Sequence, residues 1–175
     1  NPSLYDACNP VASGPGEGLF NATTLIEPGT STTVTVCEDL NLQDITHTKT
    51  VVGVTNLLDG TYTVGFEIVV TNEGNAGGIY SLDDVPGFDS DLSILGVTVS
   101  DNGSGAFDGS YDGLGDTSLA GGAMLTASNS HTYTLVFTVD ASSVIADSGL
   151  YDACNALLPA PGEGLFNATS LTVPG

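Results

Sequence analysis

The sequence has almost no positive charge: one lysine and no arginine stand against 21 acidic residues, giving a formal net charge of −20 over 175 residues. A single cation cannot neutralise a phosphate backbone or dock a protein on anionic lipid, which argues against nucleic-acid and peripheral-membrane binding. Salt and divalent cations screen repulsion between carboxylates. We therefore expect a secreted or cell-surface protein.

Other signals are missing too. No apolar run approaches the roughly 18 residues needed to cross a bilayer. The start, Asn1-Pro2-Ser3, has neither an initiator methionine nor a signal-peptide pattern, which predicts a piece of something larger. His47 and His131 are isolated, no hydrolase, zinc, P-loop or dinucleotide signature occurs, and no tryptophan offers a platform for a sugar. We predict that the protein is not an enzyme.

Polar and apolar residues alternate along most of the chain, which is the period of a half-buried strand. The clearest segments are residues 61–70 and 131–139. Shorter segments lie at 32–36, 48–55, 78–82, 94–99 and 165–173, and the turn-forming pairs between them include Asp59-Gly60, Pro86-Gly87 and Gly121-Gly122. The only helical candidate is residues 141–146. This pattern predicts an all-β fold, an antiparallel Ig-like β-sandwich, with a closed barrel as the alternative.

The chain repeats part of itself. LYDACN at residues 4–9 recurs at 150–155, PGEGLFNAT at 15–23 recurs at 161–169, and both pairs share an offset of 146 residues, as from Leu4 to Leu150. That period is the length of a domain and is too long for a solenoid unit. We predict that residues 1–39 are the C-terminal strands of a preceding repeat or an N-terminal linking arm that pairs with a neighbouring subunit. Residues 40–175 are then one tandem-repeat sandwich.

Three cysteines predict disulfide bonding outside the cell. Cys8 and Cys37 flank the segment around Phe20, and a bond between them would stabilise the fold by roughly 3 to 4 kcal/mol. The repeat then places the partner of Cys154 beyond residue 175. The other pairing, Cys37 with Cys154, stays open, because sequence does not determine connectivity.

Six segments carry a likeness to a known family: TKTV (48–51), DGTYTV (59–64), IVVTNEG (68–74), YSLDD (80–84), HTYT (131–134) and FNAT (166–169). They resemble the DUF11-type Ig-like repeat of bacterial cell-surface and adhesin proteins. The resemblance covers about residues 44–173 and implies an extracellular module repeated along an adhesin, stalk or filament. The chain departs from it in an aspartate- and glycine-rich middle, residues 83–116, and in the added cysteines.

The single lysine, Lys49, lies on a predicted strand. A lysine in a dry core loses its proton easily and becomes a nucleophile. Related surface modules join such a lysine to an asparagine by an isopeptide bond, while a carboxylic acid hydrogen-bonds the reacting carbonyl. The resemblance assigns these roles to Lys49, to Asp84 or Asp83 as the acid, and to Asn167. The plainer interpretation is a solvated lysine that relieves local negative charge.

Aspartates cluster in two glycine-rich stretches, and calcium is bound by six to eight oxygens from such loops. The candidate ligands are Asp108, Asp112 and Asp116 in one stretch and Asp83, Asp84, Asp89 and Asp91 in the other. Neither stretch matches an EF-hand or the nonapeptide calcium repeat, so solvated acidic turns are the competing interpretation.

Three Asn-x-Ser/Thr tripeptides are candidate glycosylation sites, at Asn21, Asn102 and Asn167. Asn102 lies in a predicted turn, whereas the other two lie in predicted strands. Asn167 cannot carry both a glycan and an isopeptide bond.

These observations predict a structural module of an extracellular bacterial surface protein or filament. Its partners would be neighbouring copies, stacked head to tail by covalent tandem repetition or by strand addition. The alternative is a calcium-dependent adhesin domain whose acidic middle binds a host or surface glycan or a protein partner. No cofactor is expected, apart from calcium in that alternative.

Overall fold

The structure is a computed structural model that describes residues 8, 18–102, 107–151, 153–154 and 164–174. Its elements are β1 (Asn21–Glu27), β2 (Thr30–Val36), β3 (Ile45–Asn56), β4 (Thr61–Asn72), β5 (Gly78–Phe88), β6 (Ser93–Asp101), β7 (Ser118–Leu125), β8 (Ser130–Asp140), the helix α1 (Ser142–Ala146), a 3-10 turn (Ser148–Leu150) and β9 (Leu165–Thr172). The predicted all-β antiparallel fold is confirmed. Within the described residues, neither helical segment is long and apolar enough to span a membrane.

Two antiparallel sheets pack face to face. One has the strand order β3-β4-β8-β6 and the other the order β7-β5-β9. Side chains alternate across each strand, so every second residue of β4, β5 and β8 enters the core. Phe66, Phe88 and Phe137 meet at its centre, with ring centroids 5.3 to 6.2 Å apart. The architecture is therefore a sandwich and not the closed barrel.

Two predicted turns lie inside strands. Gly121-Gly122 forms part of β7, where Gly122 has a φ of 62° and the register to β5 shifts. Pro86-Gly87 forms part of β5, which pairs with β7 only up to Asp83 and beyond that point with β9 alone. A proline is tolerated there because it has no N–H and that edge of the strand lacks a paired neighbour. The turn predictions at both places were wrong.

The first two strands form a hairpin outside the sandwich. β1 and β2 make a separate two-stranded sheet in which every residue is exposed. A disulfide joins Cys8 to Cys37, with 5.7 Å between their Cα atoms, and the exposed Cys154 has a free thiol. The structure thus contains the first of the two predicted cysteine pairings.

Candidate functional site

Lys49 lies in the middle of β3, the edge strand of the four-stranded sheet. Alternation along β3 places Ile45, His47 and Lys49 on the inner face, and the Lys49 side chain is only 13% exposed. Its Nζ lies 5.0 Å from the centre of the Phe66 ring. The lysine is therefore directed into the sandwich, and the interpretation of a solvated surface lysine does not fit its burial.

Asp84 is the acidic partner of this lysine. On β5 it follows Tyr80 and Leu82 on the core-facing side, so its side chain is fully buried, while Asp83 lies on the opposite face. Lys49 Nζ donates a hydrogen bond to Asp84 Oδ1. Of the two aspartates that the sequence left open, the structure brings Asp84 to the lysine.

Asn167 completes the group from β9, where it pairs with Pro86 of β5. Its Nδ2 donates to Asp84 Oδ2 over 3.1 Å. Its Oδ1 is buried and has no hydrogen-bond partner among the described residues. A buried carbonyl without a donor is costly in a merely structural amide. Turning the amide by about 180° would exchange its oxygen and nitrogen and bring Oδ1 to Asp84, where a protonated carboxyl group could donate to it.

Tyr111 is a fourth member that sequence reasoning missed. It lies in the aspartate- and glycine-rich loop before β7, is buried, and donates from its hydroxyl to Asp84 Oδ2 over 2.7 Å. Burial first, and then the charge of Asp84, raises the pKa of this phenol, so it remains a donor. The sequence signal was weak, because the same loop also contains Phe107 and Leu114.

Burial determines the proton balance of the site. Desolvation lowers the pKa of Lys49, and the attraction and hydrogen bond of Asp84 only partly offset that effect. Moving one proton from Nζ to the carboxylate converts the ion pair into a neutral amine beside a carboxylic acid. The total number of protons stays the same, so the reactive form needs no outside acid or base.

This arrangement contains the parts of an amide exchange. With the Asn167 amide turned so that Oδ1 meets Asp84, a neutral Lys49 Nζ would attack Cγ of Asn167 while protonated Asp84 donated to Oδ1 and stabilised the negative charge that develops there. The Nζ–Cγ bond would form and the Cγ–Nδ2 bond would break. Nδ2 would take the proton released by the amine, relayed by Asp84, and leave as ammonia. The product would be an isopeptide bond, with no oxidant or cofactor consumed.

Asp84→Asn is the sharpest test of this role for the carboxyl group. The amide keeps the shape of Asp84 but cannot relay a proton, so we expect Lys49–Asn167 bond formation to slow by about 10²- to 10⁴-fold. The measurement is the cross-linked fraction against time after refolding. Asp83→Asn is the matched control, because Asp83 lies on the same strand but on the outer face. Equal rates in both variants would contradict the assignment.

The candidate calcium ligands mostly act as caps of turns. Asp112 Oδ1 accepts three backbone N–H groups at 2.8 to 2.9 Å, and Asp108 and Asp116 share the hydroxyl of Ser110. Asp89 Oδ1 accepts the backbone N–H of Asp91. No group of three or more His, Cys, Asp or Glu side chains in the described ranges is placed to hold a metal ion. Calcium binding stays a prediction.

The three candidate glycosylation sites differ in surroundings. Asn21 and Asn102 are exposed, and Asn102 Nδ2 donates to the carbonyl of Ser130. The two residues that complete its tripeptide, Gly103 and Ser104, lie outside the described residues. Asn167 is partly buried and bonded to Asp84. Of the three asparagines, Asn167 is the one that contacts the Lys49–Asp84 pair, through its hydrogen bond to Asp84.

No family model, curated protein or solved structure matches this chain.

Proposed function

We propose that this chain is an Ig-like structural module of an extracellular surface protein or filament, and that it cross-links itself through a Lys49–Asn167 isopeptide bond. The buried set of Lys49, Asp84 and Asn167 carries the proposal. The chain has one lysine and no arginine, and that lysine is buried against a carboxylate that also accepts a hydrogen bond from the Asn167 carboxamide. If Lys49 and Asp84 were only a stabilising ion pair, the buried Asn167 carbonyl beside them, which has no donor among the described residues, would serve no purpose.

The position of the bond suits a load-bearing role. β3 and β9 are edge strands of opposite sheets and are the first and last strands of the sandwich along the chain. They already meet through His47 Nε2 and Thr169 Oγ1 at 3.2 Å, and the residues beside them meet through Gln43 Nε2 and the carbonyl of Pro174 at 2.8 Å. A covalent link between β3 and β9 would carry a pulling force from one strand to the other, so that the strands between them in the chain would not be stretched.

Two further features support an extracellular setting. The Cys8–Cys37 disulfide belongs to an oxidising compartment, and the large acidic excess suits one rich in screening cations. Tandem repetition at the 146-residue period, from Leu4 to Leu150, supports an assembly of like modules. Neighbouring copies are accordingly the proposed partners.

The test is the intact mass of the purified chain. Bond formation removes one ammonia, so after correction for the disulfide we expect a deficit of about 17 Da. Lys49→Arg and Asn167→Ala should each restore the full mass, because an arginine does not attack and an alanine has no carboxamide. The control Asn102→Ala should keep the deficit. A wild-type chain of full mass would overturn the proposal.

A further inference from the structure

We propose that Asn21 is a second isopeptide acceptor, serving the Lys49 of another copy of the sandwich, and that the β1–β2 hairpin closes that copy. The inference rests on the proposed function, because it uses the same reaction. In the proposed function the bond forms within one module. Here the same reaction would also form a bond between two consecutive modules.

The repeat makes β1 the counterpart of β9. At the 146-residue offset Asn167 corresponds to Asn21, and eight of the eleven residues in 19–29 are identical to those in 165–175. The local structure repeats as well: Gly18 has a φ of 52° and packs against Cys8, while Gly164 has a φ of 58° and packs against Cys154. Most of the LYDACN repeat lies outside the described residues.

Corresponding side chains are packed in the second repeated segment, residues 165–175, and exposed in the first, residues 19–29. Leu165 and Leu171 pack against the hydrophobic core of the sandwich. Their counterparts Leu19 and Leu25 are 52% and 63% exposed, and Asn21 is exposed too. Within the described residues β1 therefore pairs with β2 alone, and the apolar side chains that its counterpart β9 packs against the core are exposed.

Two of the three differences between the strands fit this docking. Thr24 and Ile26 replace Ser170 and Thr172, both of which are exposed on β9. The third difference places Glu27 where Val173 packs against the edge of the core, one residue after β9 ends. The inward positions within β9 itself are unchanged, so β1 can replace β9 beside β5 if Glu27 turns towards solvent.

Docked in the β9 register, Asn21 would lie opposite Pro86 of the other copy, beside that copy's Asp84 and Lys49. Lys49 Nζ would bond to Cγ of Asn21, and Nδ2 would leave as ammonia. β2 would add a fourth strand outside β1. The Cys8–Cys37 disulfide, formed within the hairpin, would brace the joint.

The experiment joins two whole-period units: residues 1–146 followed directly by residues 1–175. In this tandem the first sandwich has no β9 of its own and can be closed only by the β1 of the second unit. We expect two ammonia losses, about 34 Da in total. Asn21→Ala in the second unit should abolish one loss, and Asn167→Ala the other. Asn21→Ala in the first unit is the matched control and should change nothing.

The outcomes separate the two proposals. One loss that disappears only with Asn167→Ala would overturn the role of Asn21 and leave the proposed function intact. No loss at all would overturn both. Two losses with the expected sensitivities, and a branched peptide joining Lys49 of the first unit to Asn21 of the second, would establish the joint.

Discussion

Replacing Asn167 by alanine should lower the melting temperature of the chain by roughly 10 to 20 °C. The bond closes a loop of 118 residues, from position 49 to position 167. A cross-link over such a loop stabilises the fold by about 5 kcal/mol, chiefly by restricting the unfolded chain. Calorimetry of the wild type and the variant measures the difference. The site's remaining hydrogen bonds are too few to account for a shift of that size.

A double-mutant cycle separates the bond from the local contacts. Lys49→Met also removes the bond, and the double variant Lys49→Met/Asn167→Ala loses that one bond only once. The losses of unfolding free energy in the two single variants, relative to the wild type, should therefore add up to about 5 kcal/mol more than the loss in the double variant. Additive values would mean that no covalent link joins the two positions.

Pulling the chain by its ends should reveal the second large effect. With the bond in place, tension passes from β3 to β9 through Lys49 and Asn167, and the residues between them are bypassed. In Asn167→Ala those 118 residues, counted from 49 to 167, extend when the sandwich ruptures. At about 3.4 Å per residue the added contour length is roughly 400 Å. Single-molecule force spectroscopy resolves that step.

The control for this experiment is Asn102→Ala, an exposed asparagine that follows β6, the edge strand opposite β3 in the four-stranded sheet. It should behave as the wild type does and show no 400 Å step, a length that follows from about 3.4 Å per residue. A wild-type chain that lengthens as much as Asn167→Ala would contradict the mechanical role.

Much of the fold was readable from the sequence because most strands carry a clean alternation. The predicted segments at 61–70 and 131–139 lie within β4 and β8, and the helical candidate at 141–146 contains α1. β7 was missed because Gly121 and Gly122 indicate a turn when read locally. Only the pairing with β5, a long-range contact, shows that they form an irregular strand.

The site was partly readable for a different reason. Lys49 stood out as the only cation, and the resemblance supplied Asn167. The choice between Asp83 and Asp84 depends on which face of β5 meets the core, which two adjacent aspartates do not reveal. Tyr111 reaches the site from a loop, where no periodicity fixes the direction of a side chain.

The most direct test of the account is a fragmentation mass spectrum of the digested wild-type chain. The account predicts a branched peptide in which Lys49 Nζ is joined to Cγ of Asn167, lighter by about 17 Da than its two arms together. Separate, unmodified peptides carrying Lys49 and Asn167, from protein purified in its folded state, would contradict it.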